Sequence, residues 1–210
     1  MNIYLFSSAV GAAGLLQSAI EPEITNRRVC FVTAASEGLT YKVFVDDARN
    51  LLKDFGADVM ECPITGMTRD SIVEVLDNAD WIYVAGGNTY RLLKSLRLTG
   101  ADQLITDAVR AGIPYLGESA GSIVLAPDIG YISKMDPPPY EEDLNTRGLN
   151  LIDVYPLPHF ESPPFRQEAS DIAAAYGKRL PLLKMTNADC IVVNNGSVRR
   201  LVEQEEKSVS

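Results

Sequence analysis

Residues 113–127 read IPYLGESAGSIVLAP. An apolar run from Ile113 to Leu116 enters Gly117-Glu118-Ser119-Ala120-Gly121, and a second apolar run leaves it. The pentapeptide fits G-x-S-x-G, the corner between a strand and a helix at which a serine takes a strained backbone and its neighbours must be small. Gly117 and Gly121 supply that room. If the corner is an elbow, the chain before it is a strand, the chain after it opens a helix, and the amide of Ala120 faces outward at the helix start. Free donors and the helix dipole both favour negative charge there. Ser119 is then either a nucleophile or only a small residue in a tight corner, and five residues alone do not decide between them.

Outward from this corner the chain alternates in texture. Strand-like IYLFSS is followed by a small-residue stretch over 9–20, then RRVCFVTAA, a helical pattern in TYKVFVDDARNLLKDFG, and ADVMECPI. The series continues with a helix near TRDSIVEVLDNA, the strand WIYVAGG, helices through NTYRLLKSLR and ADQLITDAVRAG, and the strand IPYLGES. Such alternation reads as βαβ units, and strands apolar on both faces fit a mostly parallel sheet covered by helices on both sides. Gly56 and Gly112 fall where helix C-termini should end. From Ala126 the stretch APDIGYISKMDPPPYEEDLNTRG, with three consecutive prolines and an acidic cluster, predicts a loop without long regular elements. Beyond it come the strand LNLIDVYPL, a helix near FRQEASDIAAAYGKR, and the β-like runs PLLKMT, CIVVNN and SVRRLVE. Asn195-Gly196 between the last two is a hairpin signal. A polar tail follows from about residue 203.

The 210 residues, 46% hydrophobic, predict one α/β domain over 1–210 with a sizeable core. Net charge is −9 and no Lys/Arg run exceeds a pair, so a nucleic-acid footprint is not expected. Polar Ser7 and Ser8 interrupt the apolar N-terminus, which fits a signal peptide poorly, and no stretch reaches the roughly 20 apolar residues of a membrane span. Cys30, Cys62 and Cys190 are odd in number and far apart, which argues against a disulfide framework or a zinc site. The expected location is the reducing cytoplasm, with no cofactor and no metal, as a monomer or homodimer.

One histidine, His159, occurs in the chain, so any Ser-His mechanism must use it. It follows Pro158 at the end of an apolar strand, in LPHFESPPFRQE. A second glycine turn lies in AGGNTYRLL, residues 85–93, where a strand ends in Gly86-Gly87 and a helix begins at Asn88 or Thr89. Glycine backbone approaches a ligand closely and aims N–H groups at an anion; the plainer reading is a βα turn with Asn88 as N-cap. In a parallel sheet the C-terminal strand ends share one edge, so these three ends can meet as nucleophile, oxyanion donors and base.

GGN-T, then G-x-S-A-G-S, then a His beside Pro after an apolar strand resembles the aspartyl dipeptidase (peptidase E) family of serine peptidases, to which cyanophycinases are related. The resemblance spans about residues 3–193. It implies a flavodoxin-like sheet distinct from the α/β-hydrolase fold, Ser119 as nucleophile, His159 as general base, and Gly87 and Ala120 as oxyanion-hole amides, with Gly86 and Asn88 beside the substrate. It also implies that Arg166 pairs with the carboxylate of an N-terminal Asp substrate, a job suited to a planar guanidinium; a solvated helix-start arginine is the plainer reading.

The third triad member departs from the family's Glu. The equivalent stretch, KMTNADCIVV, offers Asn187 nearest that place and Asp189 two residues on. Asp136 in KMDPPP resembles an Asp of the family's loop and is ranked first, either to orient His159 or to bind the substrate ammonium. Glu141, Glu142 and Asp143 could screen a peptide's amino group or form a solvated face. The expected activity is hydrolysis of small acidic peptides of the Asp-X type through an acyl-enzyme. An α/β-hydrolase-type esterase and a catalytically weakened binding protein on the same fold stand as alternatives.

Overall fold

The structure, a computed structural model, describes residues 1–138 and 145–201. Its elements run β1 (Asn2–Phe6), α1 (Ala13–Ile24), β2 (Arg28–Val32), α2 (Val43–Asp54), β3 (Asp58–Cys62), α3 (Arg69–Asp77), β4 (Trp81–Val84), α4 (Thr89–Thr99), α5 (Ala101–Ala111) and β5 (Tyr115–Glu118). They continue with α6 (Ala120–Ile123), β6 (Tyr155–Leu157), α7 (Arg166–Tyr176), β7 (Leu182–Lys184), β8 (Cys190–Asn194) and β9 (Ser197–Arg200). Glu141, Glu142, Asp143 and the tail from 203 lie outside the described residues.

Among the described residues, seven strands form one sheet in the order β3-β2-β4-β5-β1-β8-β9. The first five are mutually parallel, and β8 and β9 extend the sheet antiparallel beside β1. Period-two alternation divides the central strands between two apolar layers, while β9 is exposed throughout. Ile3, Leu5, Val32, Ile82 and Val84 face a core with α4 and α5 residues such as Leu92, Leu96 and Ile105. Tyr4, Phe6, Phe31, Trp81 and Tyr83 face the opposite layer with Leu16 and Ile20 of α1 and Ala48 and Leu52 of α2. This is the mostly parallel, doubly covered α/β fold that the alternation predicts.

Local chemistry sets the ends. Thr68 accepts from Ser71 N–H at 3.2 Å to start α3, and Asn88 accepts from Arg91 N–H at 2.9 Å to start α4. Asn195 and Gly196 both take positive φ in the two-residue turn joining β8 to β9, as the Asn-Gly signal requires.

Two of the expected strand-like stretches lie outside the main sheet. In LNLIDVYPL only Tyr155–Leu157 is a strand; Asn150 turns to φ 51°, and Leu149 and Leu151 bond back to the Val124 and Leu125 carbonyls of the segment after the elbow. The run PLLKMT contributes β7, which pairs parallel with β6 in a separate two-stranded sheet. The His159 strand therefore reaches the site edge from outside the main sheet.

Candidate active site

β1, β5 and β4 are adjacent, with Leu5 and Val84 both paired to Gly117, so their C-terminal loops converge on one edge. Ser119 leaves β5 with φ 48° and ψ −104°, a strained conformation held by its own N–H bonding the Phe6 carbonyl at 2.9 Å. Gly121 lies against β4: a Cβ there would stand 2.1 Å from the Val84 carbonyl oxygen, so the elbow closes only over glycine. Ser122, fully buried, accepts from Phe6 N–H and lies 2.6 Å from the Gly117 carbonyl, tying the corner from within.

His159 faces this corner. Its Nε2 is 3.1 Å from Ser119 Oγ, and its Nδ1 is 2.8 Å from Asn187 Oδ1. The amide orientation follows from Asn187 Nδ2, which donates to the Pro163 carbonyl at 2.8 Å, an atom able only to accept. Oδ1 is thereby turned to the ring and can only accept, which fixes the proton on Nδ1 and leaves the Nε2 lone pair toward the serine hydroxyl. Burial holds the imidazole below its usual pKa, with the Asn187 bond opposing that shift. A neutral imidazole in this tautomer can take a proton from Ser119. His159, at φ 58°, is braced further by its N–H to Ser7 Oγ at 3.1 Å, Ser7 Oγ in turn donating to the Met185 carbonyl, and by the Phe165 ring at 5.3 Å.

The ranking of Asp136 over Asn187 as the partner of His159 is overturned. The Asp136 carboxylate accepts from Asn88 Nδ2 at 3.0 Å and from Thr89 N–H at the first turn of α4, so it caps that helix; burial raises its pKa against these bonds. Asp189 does not face the ring either: it accepts from Thr186 N–H and Oγ at 2.6 and 2.8 Å and pairs with Arg200, shaping the turn that presents Asn187.

Gly87 takes φ 139°, and a Cβ on it would stand 2.2 Å from the Ala35 carbonyl oxygen, to which Asn88 N–H donates at 2.8 Å. Among the described residues no backbone carbonyl takes the N–H of Gly87 or of Ala120. Gly86, Gly87, Asn88, Ser119, Asp136, His159 and Asn187 all line one cavity of about 590 Å³, with apolar walls from Leu39, Tyr41, Phe44, Pro137, Pro164 and Phe165. Arg166, the first residue of α7, follows Phe165 but is exposed and outside this lining. The expectation that it stands in the site is corrected: Phe165 lines the cavity, and the chain turns into α7 at the exposed Arg166, outside the lining.

Residues 7–201 match the sequence profile of peptidase family S51. The chain belongs to peptidase family S51. It is 36% identical over 198 residues to an uncharacterized peptidase of Listeria innocua, covering 94% of each chain. It is 33% identical over 172 residues to a peptidase E of Streptomyces coelicolor, over 78% of this chain and 65% of that protein. The crystal structure of a putative peptidase E from Listeria monocytogenes superposes with a TM-score of 0.90 at 31% identity, covering 97% of this chain and 98% of that one. The S51 protein is thus a serine-type peptidase, and the esterase alternative falls away.

Sequence reasoning did not single out Glu118 or Ser7. Glu118 is 4% exposed, lines the cavity and has its carboxyl pushed up to about 7 by burial. The available signal was a charged residue closing an otherwise apolar strand. Ser7 gave none, because its partners, Met185 and His159, are distant in sequence.

Proposed function

We propose that this S51 peptidase is a serine exopeptidase that hydrolyses small peptides through an acyl-enzyme, with N-terminal aspartate as its preferred first residue. The observation that carries the reading is the chain Ser119–His159–Asn187, at 3.1 and 2.8 Å, opening onto a cavity beside the Gly87 and Ala120 amides, which no backbone carbonyl takes among the described residues. A volume of about 590 Å³ suits a dipeptide-sized ligand.

Ser119 Oγ attacks the scissile carbonyl carbon as its proton passes to His159 Nε2. The oxyanion takes the Gly87 and Ala120 N–H groups, donors of a kind worth about 3 to 4 kcal/mol each in a transition state. The C–N bond breaks as Nε2 returns the proton to the leaving amine, and water, deprotonated at the same nitrogen, releases the acid. Three unpaired, buried cysteines support a reducing compartment such as the cytoplasm.

Ser119→Ala and His159→Ala should each lower peptide hydrolysis at least about 10³-fold; full activity in either variant removes the mechanism. The aspartate preference rests on the resemblance to aspartyl dipeptidases and on Arg166, an exposed cation next in sequence to the lining residue Phe165. Comparing Asp-X with Asn-X and Leu-X dipeptides tests it: Asp-X should be favoured, and Arg166→Ala should erase about 10- to 100-fold of that advantage, the scale of a charge-assisted bidentate contact. Equal turnover of Asp-X and Asn-X would end the aspartate reading while leaving the exopeptidase reading standing.

A further inference from the structure

We propose that Glu118, as a carboxylate, is a positioning residue for this reaction, clamping the Gly86-Gly87 turn and the loop after β1 onto the strand end that carries Ser119. The inference rests on the serine-peptidase reading and is independent of the aspartate preference. Glu118 Oε1 accepts from Ala9 N–H at 2.8 Å and Oε2 accepts from Tyr83 Oη at 3.0 Å, while the nearby Gly86 N–H dipole favours the charged carboxylate. These groups come from three separate pieces of chain: the β1–α1 loop, strand β4, and the turn that leads into the proposed oxyanion amide of Gly87. A Cβ built on Gly86 would lie 3.5 Å from Ser119 Cβ and 3.8 Å from Glu118 Cγ, so the turn rests directly against both residues.

An ionised carboxylate meets the Ala9 and Tyr83 donors with acceptors alone and draws the Gly86 N–H dipole to it. It offers about four lone-pair sites and no hydrogen. A protonated acid or a glutamine amide turns one end into a donor, and that end then faces a backbone N–H or competes with the Tyr83 hydroxyl. Each backbone donor lost frees a turn that flanks the nucleophile. The charged and titratable groups around Glu118 are Tyr83 from β4 and Asp47 from α2, with His159 and Asp136 lining the same cavity. Asp47 disfavours the carboxylate, and the hydrogen bonds favour it. A carboxyl held this close to neutrality places the clamp under control of pH in the working range.

The test reads the rate at which a fluorophosphonate modifies Ser119, which needs no knowledge of the substrate, across pH 5 to 9 in the wild type, Glu118→Gln and Tyr83→Phe. In the wild type the rate should rise through a midpoint near 7, set by Glu118. Glu118→Gln should lose that step, keep only the lower step of His159, and label about 10- to 100-fold more slowly at pH 8, the range for loss of positioning around a reacting group. Tyr83→Phe keeps the carboxyl but removes one donor, so the step should move to higher pH.

A profile in Glu118→Gln that superposes on the wild type overturns the proposal, as does an unmoved midpoint in Tyr83→Phe. If Glu118→Gln does not fold, Tyr83→Phe decides alone. A wild type that never labels removes the serine mechanism as well, which separates the failure of that reading from the failure of this one.

Discussion

At Asn187 the site departs from charge-based expectation, because an amide oxygen stands where a carboxylate usually supports the imidazole. The amide orients the ring and fixes its tautomer, yet it gives no full charge to the imidazolium that forms during attack. His159 is therefore held low in pKa by burial with only a hydrogen bond against it. Asn187→Ala should slow hydrolysis about 100-fold through loss of orientation, within the range of general-base effects. Asn187→Asp puts an anion on Nδ1–H and should move the His159 step to higher pH, as an NMR titration of the single histidine will show. An unshifted step would mean that the aspartate turns away, as it does if repelled by the Pro163 carbonyl that now receives Nδ2. Ser119, His159 and the glycine turns were legible in the sequence because each is a strand end with its own local pattern. Asn187 was placed but ranked low, since its approach depends on the Thr186–Asp189 turn and on Ser162 Oγ accepting its N–H at 3.1 Å. Contacts of that kind join residues remote in sequence and leave no periodic trace.

Among the elements, helix α4 shows how one acidic residue can serve structure at the border of a site. Asp136 arrives from the loop after the elbow and accepts from Asn88 and Thr89, joining that loop to the helix start that follows Gly87. Asp136→Ala should cost about 1 to 2 kcal/mol in urea unfolding, the value of a helix cap with a charged acceptor. The same variant should leave the His159 titration midpoint in place; a large shift would restore Asp136 as a partner of the ring. Gly87→Ala should be far more damaging, because both its φ of 139° and the Ala35 carbonyl at 2.2 Å exclude a side chain. Circular dichroism melts and Ser119 labelling would both fall if the turn is as tight as the contact implies. The helices and parallel strands were readable from periodicity, whereas the sequence left open which sheet β6 and β7 join, because three-residue strands carry too few side chains to reveal it.

Across the whole molecule, Glu118 sets stability against chemistry. Its carboxyl, only 4% exposed on the cavity wall and bonded by Tyr83, keeps its proton up to about 7 in the folded chain, whereas an exposed glutamate loses it near 4.5. Between those values the folded state binds more protons than the unfolded state, so stability falls as pH rises, by up to roughly 3 kcal/mol over the window. His159 acts in the opposite sense, its lowered pKa adding stability as pH rises toward and past 6.5. Asp80 and Asp189, both lowered, lose their contributions only in more acidic solution, below about pH 4. The Glu118 effect is isolated by subtraction. Urea unfolding at pH 5 and pH 7.5 should show Glu118→Gln gaining on the wild type by roughly 2 kcal/mol between the two, since the histidine and aspartates are common to both proteins. Parallel pH dependences in the two proteins would mean that the carboxyl ionises freely. It would then impose no tension, and the buried charge beside Ser119 would carry no cost that its hydrogen bonds from Ala9 and Tyr83 need to offset.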